Sequence, residues 1–434
     1  MHKSNKIVIP NTFRALRHRN YRLFFMGQSV SLIGTWMQNM AQQLLVYRLT
    51  GSAAALGMVN LLALIPLIPF SLWGGSLTDR MPKRNIVIGT QFAMMVQAVI
   101  LAILTWSGWI EIWHVFLLSF VLGAINAVDV PARLAFTIDM VEGKEDLTNA
   151  IGLNSTMFNS ARIFGPAMAG IIVAATGEGT AFLLNGCTFL AVIISLLSMR
   201  GLPTKSQPVN VKGHVMEHMA EGWRYIRKRQ IVLILFSLVG VSAFLSMPYS
   251  TLMPVFADEV LGSSAKPVIE FFCGSTAINW QCVAPEALPL GLLLAMVGLG
   301  AVIGSLFVAS LPESASRGKW LTIGNIFFPF FLLIFSQSKS YVFSMILLFL
   351  AGMCFILQNS LANTLIQLSV PDELRGRVMS LYSMTNQGMM RLGGLQAGLL
   401  ADRWSAPFSV GIGTFISLLY SLFVFVRFKN IKKL

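Results

Sequence analysis

Residues 288–311 read LPLGLLLAMVGLGAVIGSLFVASL, with no charged side chain anywhere in the run. A helix needs about 20 apolar residues to cross the ~30 Å hydrocarbon layer of a bilayer. In lipid only helices or closed barrels satisfy their own backbone. Eleven more runs of similar character fall at 22–47, 53–77, 85–107, 112–137, 148–175, 181–199, 230–256, 320–337, 341–366, 377–402 and 407–427. Apolar residues make up 55% of the 434, and charged residues only 12%, too few to clothe a water-facing surface of that length. The chain is therefore expected to be an all-α polytopic membrane protein with twelve transmembrane helices. The first run follows a basic stretch without a small-residue cleavage site, so it reads as a retained span.

The formal net charge of +14 invites a nucleic-acid reading. Its distribution argues against one. Twenty-six of the 32 Lys and Arg gather on one side of the predicted spans, against Arg48, Lys266, Lys339 and Arg403 on the other. Positive loops stay in the cytoplasm, which places both termini there. Arg162 and Arg391 fall inside spans. Of 18 acids, only Asp129 reads as membrane-embedded.

The spans group as six and six. Residues 1–20 form a basic N-terminus and 21–200 a first six-helix bundle. Residues 201–229 form a cytoplasmic linker, 230–427 a second bundle with an external loop at 257–288, and 428–434 a basic tail. Within the linker Met216, Met219, Trp223 and Ile226 recur at helical spacing, an amphipathic pattern suited to the headgroup region. The halves echo one another. Val141, an acidic turn and a helix with Arg162, Gly165 and Gly170 correspond to Val370, Pro371-Asp372-Glu373 and a helix with Arg391, Gly394 and Gly398. Such repeats place a substrate near the midplane between halves that rock.

The loop after the second span reads Gly75-Ser76-Leu77-Thr78-Asp79-Arg80-Met81-Pro82-Lys83-Arg84. It resembles the cytoplasmic loop signature of the major facilitator superfamily. Gly75 permits close helix approach, Asp79 suits a helix start, and Arg80, Lys83 and Arg84 are placed to pair with an acid such as Asp139. Together these form a candidate cytoplasmic gate. The matching loop, Pro312 to Lys319, lacks the Asp-Arg core. A wider resemblance runs through Gly34-Thr35-Trp36-Met37-Gln38, Leu49-Thr50-Gly51-Ser52-Ala53, Asp129-Val130-Pro131-Ala132-Arg133, Arg162-Ile163-Phe164-Gly165-Pro166 and Val370 to Val378. These segments look like the branch of enterobactin exporters, macrolide-efflux pumps and transmembrane secretion effectors. The resemblance implies two pseudo-symmetric six-helix bundles in a bacterial inner membrane. It further implies export of a small amphipathic organic molecule by alternating access; the alternatives are a lipid or lysolipid flippase of the same fold and a non-transporting membrane sensor or assembly partner. Gly165-Pro166 with Gly170 partly matches the fifth-span motif of antiporters, whereas the usual fourth-span arginine is missing.

Candidate site residues follow from polarity inside spans. Arg162 and Arg391 suit an anionic or polyphenolic substrate, or else helix packing. Gln38, Gln42, Asn126, Asn359, Asn363 and Asn386 either line a central cavity or hold helices together. Asp129 is the candidate for proton coupling, or a static partner of Arg133 or Arg162. Cys273 and Cys282 share an external loop and form a candidate disulfide. No metal cluster, cofactor or ATP-binding loop is evident, and no enzyme site, so a proton gradient is the one drive the residues suggest. The expected partners are a small-molecule substrate and the lipid bilayer, with no nucleic acid. The chain is expected to act as a monomer, with the external loop open to a periplasmic partner.

Overall fold

A computed structural model describes residues 11–67, 69–70, 81–141, 143–201, 215–274, 282–312 and 315–428. Regular structure among the described residues is helical throughout. The first half contains α1 (Arg19–Thr50), α2 (Ala53–Leu62), α3 (Lys83–Trp106), α4 (Ile112–Asp139), α5 (Lys144–Thr176) and α6 (Glu178–Leu197). A linker helix α7 (Val215–Lys228) leads to α8 (Gln230–Leu245) and a loop helix α9 (Gly262–Cys273). The second half continues with α10 (Ala287–Ser310), α11 (Arg317–Gln337), α12 (Tyr341–Ser369), α13 (Asp372–Arg403) and α14 (Ala406–Arg427).

Among the described residues nine helices are long and apolar enough to span a bilayer on their own. The remaining three spans are α1, α2 and α13. Two of them, α1 and α13, are full-length helices whose hydropathy is diluted by polar side chains. In α1 the side chains of Gln28, Gln38 and Gln42 are turned inward.

Helix pairing repeats between the halves. In the first, α1 packs on α5, α3 on α4 and α6, and α2 on α4. In the second, α8 packs on α13, α11 on α12 and α14, and α10 on α12. The halves meet along two seams, α2 against α13 and α5 against α10. Glycines make both seams possible. A Cβ on Gly57 would lie 2.5 Å from the Leu395 Cα, and one on Gly291 2.6 Å from the Pro166 carbonyl oxygen.

The seventh span departs from the single run expected at 230–256. After α8 the chain passes through a 3₁₀ turn, Met247–Ser250, a short turn, Met253–Val255, and a π turn, Phe256–Val260. Pro248 and Pro254 remove the N–H groups that a continuous helix would need. The break aims Tyr249 into the interior, where it is 2% exposed.

The linker helix packs on the second half through part of its apolar face, while Trp223 on that face is 49% exposed. Ile226 is fully buried in the core of the second half, Gly222 lies against Arg377 and Leu381 of α13, and Tyr225 donates to the Ser369 carbonyl at 3.0 Å. Glu221 pairs with Arg377.

The end carrying Asn11–Arg17 and Arg427 is here the near end, and the opposite end is the far end. At the far end Cys273 and Cys282 are joined, with Cα atoms 5.6 Å apart. The backbone N–H groups of Val283 and Ala284 then donate to the Ala174 carbonyl at 2.7 and 3.1 Å, and Ser264 accepts from the Tyr341 N–H at 3.1 Å. The crosslink closes a short loop, for which chain entropy predicts about 2–3 kcal/mol of stabilisation. Replacing both cysteines with serine is expected to lower the unfolding temperature measurably and to expose the loop to protease. An unchanged unfolding profile and digestion pattern would refute this.

Candidate functional site

Polar contacts that join the halves gather at the far end and at mid-depth. Asp402 of α13 caps the start of α2. It accepts from the Ser52 hydroxyl at 2.6 Å and from the N–H groups of Ala53 and Ala54 at 2.6 and 3.1 Å. A carboxylate there meets free donors and the positive end of the helix dipole. Tyr47 donates to Glu259. Arg48 bridges Glu178 of its own half, at 2.6 Å, to Glu286 of the other, at 3.5 Å.

Below this closure the two arginines reach across reciprocally. Arg162 of α5 sits over the Phe355 ring of α12, 5.4 Å from its centroid. Phe355 contacts Phe328, and Phe328 contacts Tyr249 edge-on, so the guanidinium faces an aromatic wall. Arg391 of α13 donates to the Asn60 carbonyl of α2 at 3.4 Å, and Asn60 reaches Thr251 of the second half. Arg162 is half-buried, and among the described residues it has no ion pair or hydrogen bond. An unpaired cation at that depth is costly, and stacking on a ring offsets only part of that cost.

Helical phase shows what lies between the arginines and the near end. Residues 151, 155, 158 and 162 share one face of α5. That face meets the second half at Arg162, yet Phe158, Ser155 and Ile151 are exposed. On α13 the face of Arg391 continues as Gln387, Met384 and Ser380, also exposed. The halves thus bound a cleft that is shut at the far end and open toward the near end.

The amides are distributed differently from a cavity lining. Gln38 is 3% exposed and turned into the first half. It donates to Gln97 at 3.1 Å and accepts from Asn185 at 2.6 Å, joining α1 to α3 and α6. Gln42 donates to Ser119 of α4 at 2.8 Å. Both therefore serve as interior ties. Asn126 donates to the Leu122 carbonyl of its own helix. Asn359 accepts from Tyr382 at 2.6 Å and links α12 to α13, while Asn363 accepts from Gln367 one turn on. Asn386 lies about 140° round α13 from Arg391, off the cleft face.

Asp129 is 1% exposed and faces α3. It accepts from Thr90 at 2.7 Å and Gln91 at 3.2 Å, and Arg133 lies 3.3 Å from its other oxygen. Its cationic partner is thus Arg133, not Arg162. Of the gate residues, Gly75, Asp79 and Arg80 lie outside the described residues. Lys83 pairs with Asp139 at 2.9 Å. Arg84 donates to the Leu196 and Leu197 carbonyls at the end of α6, and among the described residues it pairs with no acid. These contacts tie α3, α4 and α6 of one half together at the near end and do not cross to the other half. Tyr249, Phe355, Asn60 and Asp402 escaped the sequence reading. Only the Pro248–Pro254 pair could have flagged the first.

Comparison with known proteins places this geometry. A family model described as "Transmembrane secretion effector" matches residues 10–270 and 277–433. The chain is 26% identical over 391 residues to a staphyloferrin A transporter of Staphylococcus aureus, covering 88% of this chain and 89% of the relative. It is 22% identical over 421 residues to the enterobactin exporter EntS of Escherichia coli K12, covering 96% and 94%. Among solved structures the nucleoside transporter NupG superposes with a TM-score of 0.66 at 13% identity, covering 97% of this chain and all of that one. The peptide transporter POT in complex with sulfate gives 0.66 at 13%, covering 95% of each. These last two establish the fold.

Proposed function

The chain belongs to the transmembrane secretion effector family of the major facilitator superfamily and is a multi-pass membrane transporter; from that premise we propose that it exports a small, anionic, amphipathic molecule of siderophore type from a bacterial cytoplasm. The observation that carries the anionic part is Arg162, a guanidinium at the head of an open cleft with an aromatic wall and no counter-ion. Arg391 reaches across from the other half to the Asn60 carbonyl. A guanidinium binds carboxylates in a fork and stacks on aromatic rings, so it suits carboxylate and catecholate ligands.

In this reading the near end faces the cytoplasm, as the basic loops require, and both termini lie inside. The described state is then inward-open. Cargo enters from the cytoplasm and neutralises the cleft cations. The halves close over it at the near end, and the Asp402 and Tyr47 contacts break to release it outside. One chain encloses the cleft, so the working unit is a monomer.

The test is efflux from proteoliposomes loaded with a catecholate or a carboxylate siderophore, with and without an imposed proton gradient. Saturable efflux of either supports the reading, and no efflux of either under any gradient sinks it. Asp129 is turned away from the cleft and held by Arg133, so its role here is a structural ion pair. Asp129→Asn is expected to retain gradient-dependent efflux and to lose about 1–3 kcal/mol of stability, because Arg133 is left without its partner. Loss of the response to the gradient in that variant would instead make Asp129 the coupling carboxylate.

A further inference from the structure

The cleft has a second compartment that the anion alone leaves unused. At the near end a groove of about 540 Å³ runs between α4 and α5, lined by Leu134, Ile138, Ile151, Ser155, Phe158 and Asn159 among others. Leu134 is 65% exposed, Ile138 58%, Ile151 57% and Phe158 49%. Large apolar side chains bare to this degree, two of them on the α5 face that meets the second half at Arg162, call for an occupant. The face is continuous with the cation. Ile151 and Phe158 lie on the Arg162 face of α5, and the eleven residues from Arg162 to Ile151 span about 16 Å of helix. Head and tail of one molecule can therefore lie along a single helix face, with charge at the top and hydrocarbon below.

We infer that this groove is the tail subsite of the exporter, and that its cargo is a single-tailed amphiphile with an anionic head and an acyl or extended aryl chain. The inference rests on the anion-export reading and narrows it. Charge complementarity sets the polarity of the occupant. The head docks at Arg162, which among the described residues has neither ion pair nor hydrogen bond, and the tail points toward the near end along α5. Arg391 approaches from α13, whose exposed Met384 adds apolar surface on the facing wall. In the inward-open state such a molecule enters with its chain sheltered from water.

The test uses the full chain in lipid nanodiscs and a series of N-acylglycines from butyryl to dodecanoyl. Apparent affinity is read from the ligand-induced rise in unfolding temperature. Affinity is expected to climb about fourfold per fully buried methylene, and to level off once the chain fills about 16 Å of groove. The same series is run on Ile151→Ser/Phe158→Ala, a variant expected to fold because both side chains are exposed. The slope of affinity against chain length is expected to flatten there. Equal binding of short and long members overturns the tail subsite and leaves anion export standing. A slope that is identical in the variant also overturns it, since the chain would then be sensing bilayer and not groove. If no acylglycine binds and no siderophore is exported, the underlying reading fails along with the inference.

Discussion

Arg162→Gln is expected to weaken binding of an anionic cargo by about 10- to 100-fold, the worth of a hydrogen-bonded charge at a half-buried site. The same change is expected to raise the stability of the empty protein. Arg162 carries an uncompensated charge at mid-depth, and its contact with Phe355 recovers about 1–2 kcal/mol at most. Glutamine removes the charge and keeps much of the length. A residue holding the helices together would behave in the opposite sense, losing stability when truncated. The pair of signs thus separates a cargo-binding arginine from a packing arginine. Arg162→Lys keeps the charge without the planar fork, and is expected to fall between wild type and glutamine. The measurements are unfolding temperature without ligand and siderophore affinity for each variant. Lower stability with unchanged affinity would assign Arg162 to packing.

The second large effect concerns the seam between α2 and α13. A Cβ on Gly398 would stand 2.4 Å from the Ala53 carbonyl oxygen and 2.8 Å from the Ala54 Cα. Those are backbone atoms of the opposite half, so no side chain can step aside. Gly398→Leu is expected to cost the far-end-closed state about 1–3 kcal/mol or more, and to leave the far-end-open state, in which the seam has parted, nearly untouched. That shifts the conformational ratio by about 10- to 100-fold. Adding Gly57→Leu, where the Cβ would meet the Leu395 Cα at 2.5 Å, approaches a full reversal. Transport is expected to fall more than tenfold in a protein that still folds. The direct readout is thiol labelling of Ser155→Cys, introduced into a background without Cys187. This exposed cleft position is expected to label more slowly in the glycine variants. Unchanged labelling would show that the far-end seam does not set the equilibrium.

Much of the architecture was legible because lipid allows few solutions. Uninterrupted apolar runs give spans. The like placement of Arg162 and Arg391 in two echoing halves points to the interface where both are found. The Cys273–Cys282 bond was legible for a similar reason, since two thiols close in one loop have few other partners. What was not legible was which neighbour a helix face meets. Gln38 and Gln42 share a stripe on α1, but the stripe alone does not say whether it borders the cleft or the interior of the first half. The partners at residues 97, 119 and 185 decide that. The linker helix shows the same limit, because an apolar face fits protein as well as membrane. Asp402 was invisible for a different reason: two of its three donors are backbone N–H groups 349 and 348 residues away, and backbone carries no sequence signal.

The amide ties inside the first half bear on how the chain enters the membrane. When α1 leaves the ribosome it carries Gln38 and Gln42 with nothing to bond, and it is too polar to rank among the nine self-sufficient spans. Its partners arrive in order. Gln97 comes with α3, Ser119 with α4, and Asn185 only when α6 is made, 147 residues after Gln38. Until then α1 gains little by facing lipid and is best held beside the insertion machinery. Biogenesis of the first half is therefore expected to proceed as one delayed release of six helices, with the last-made span admitting the first.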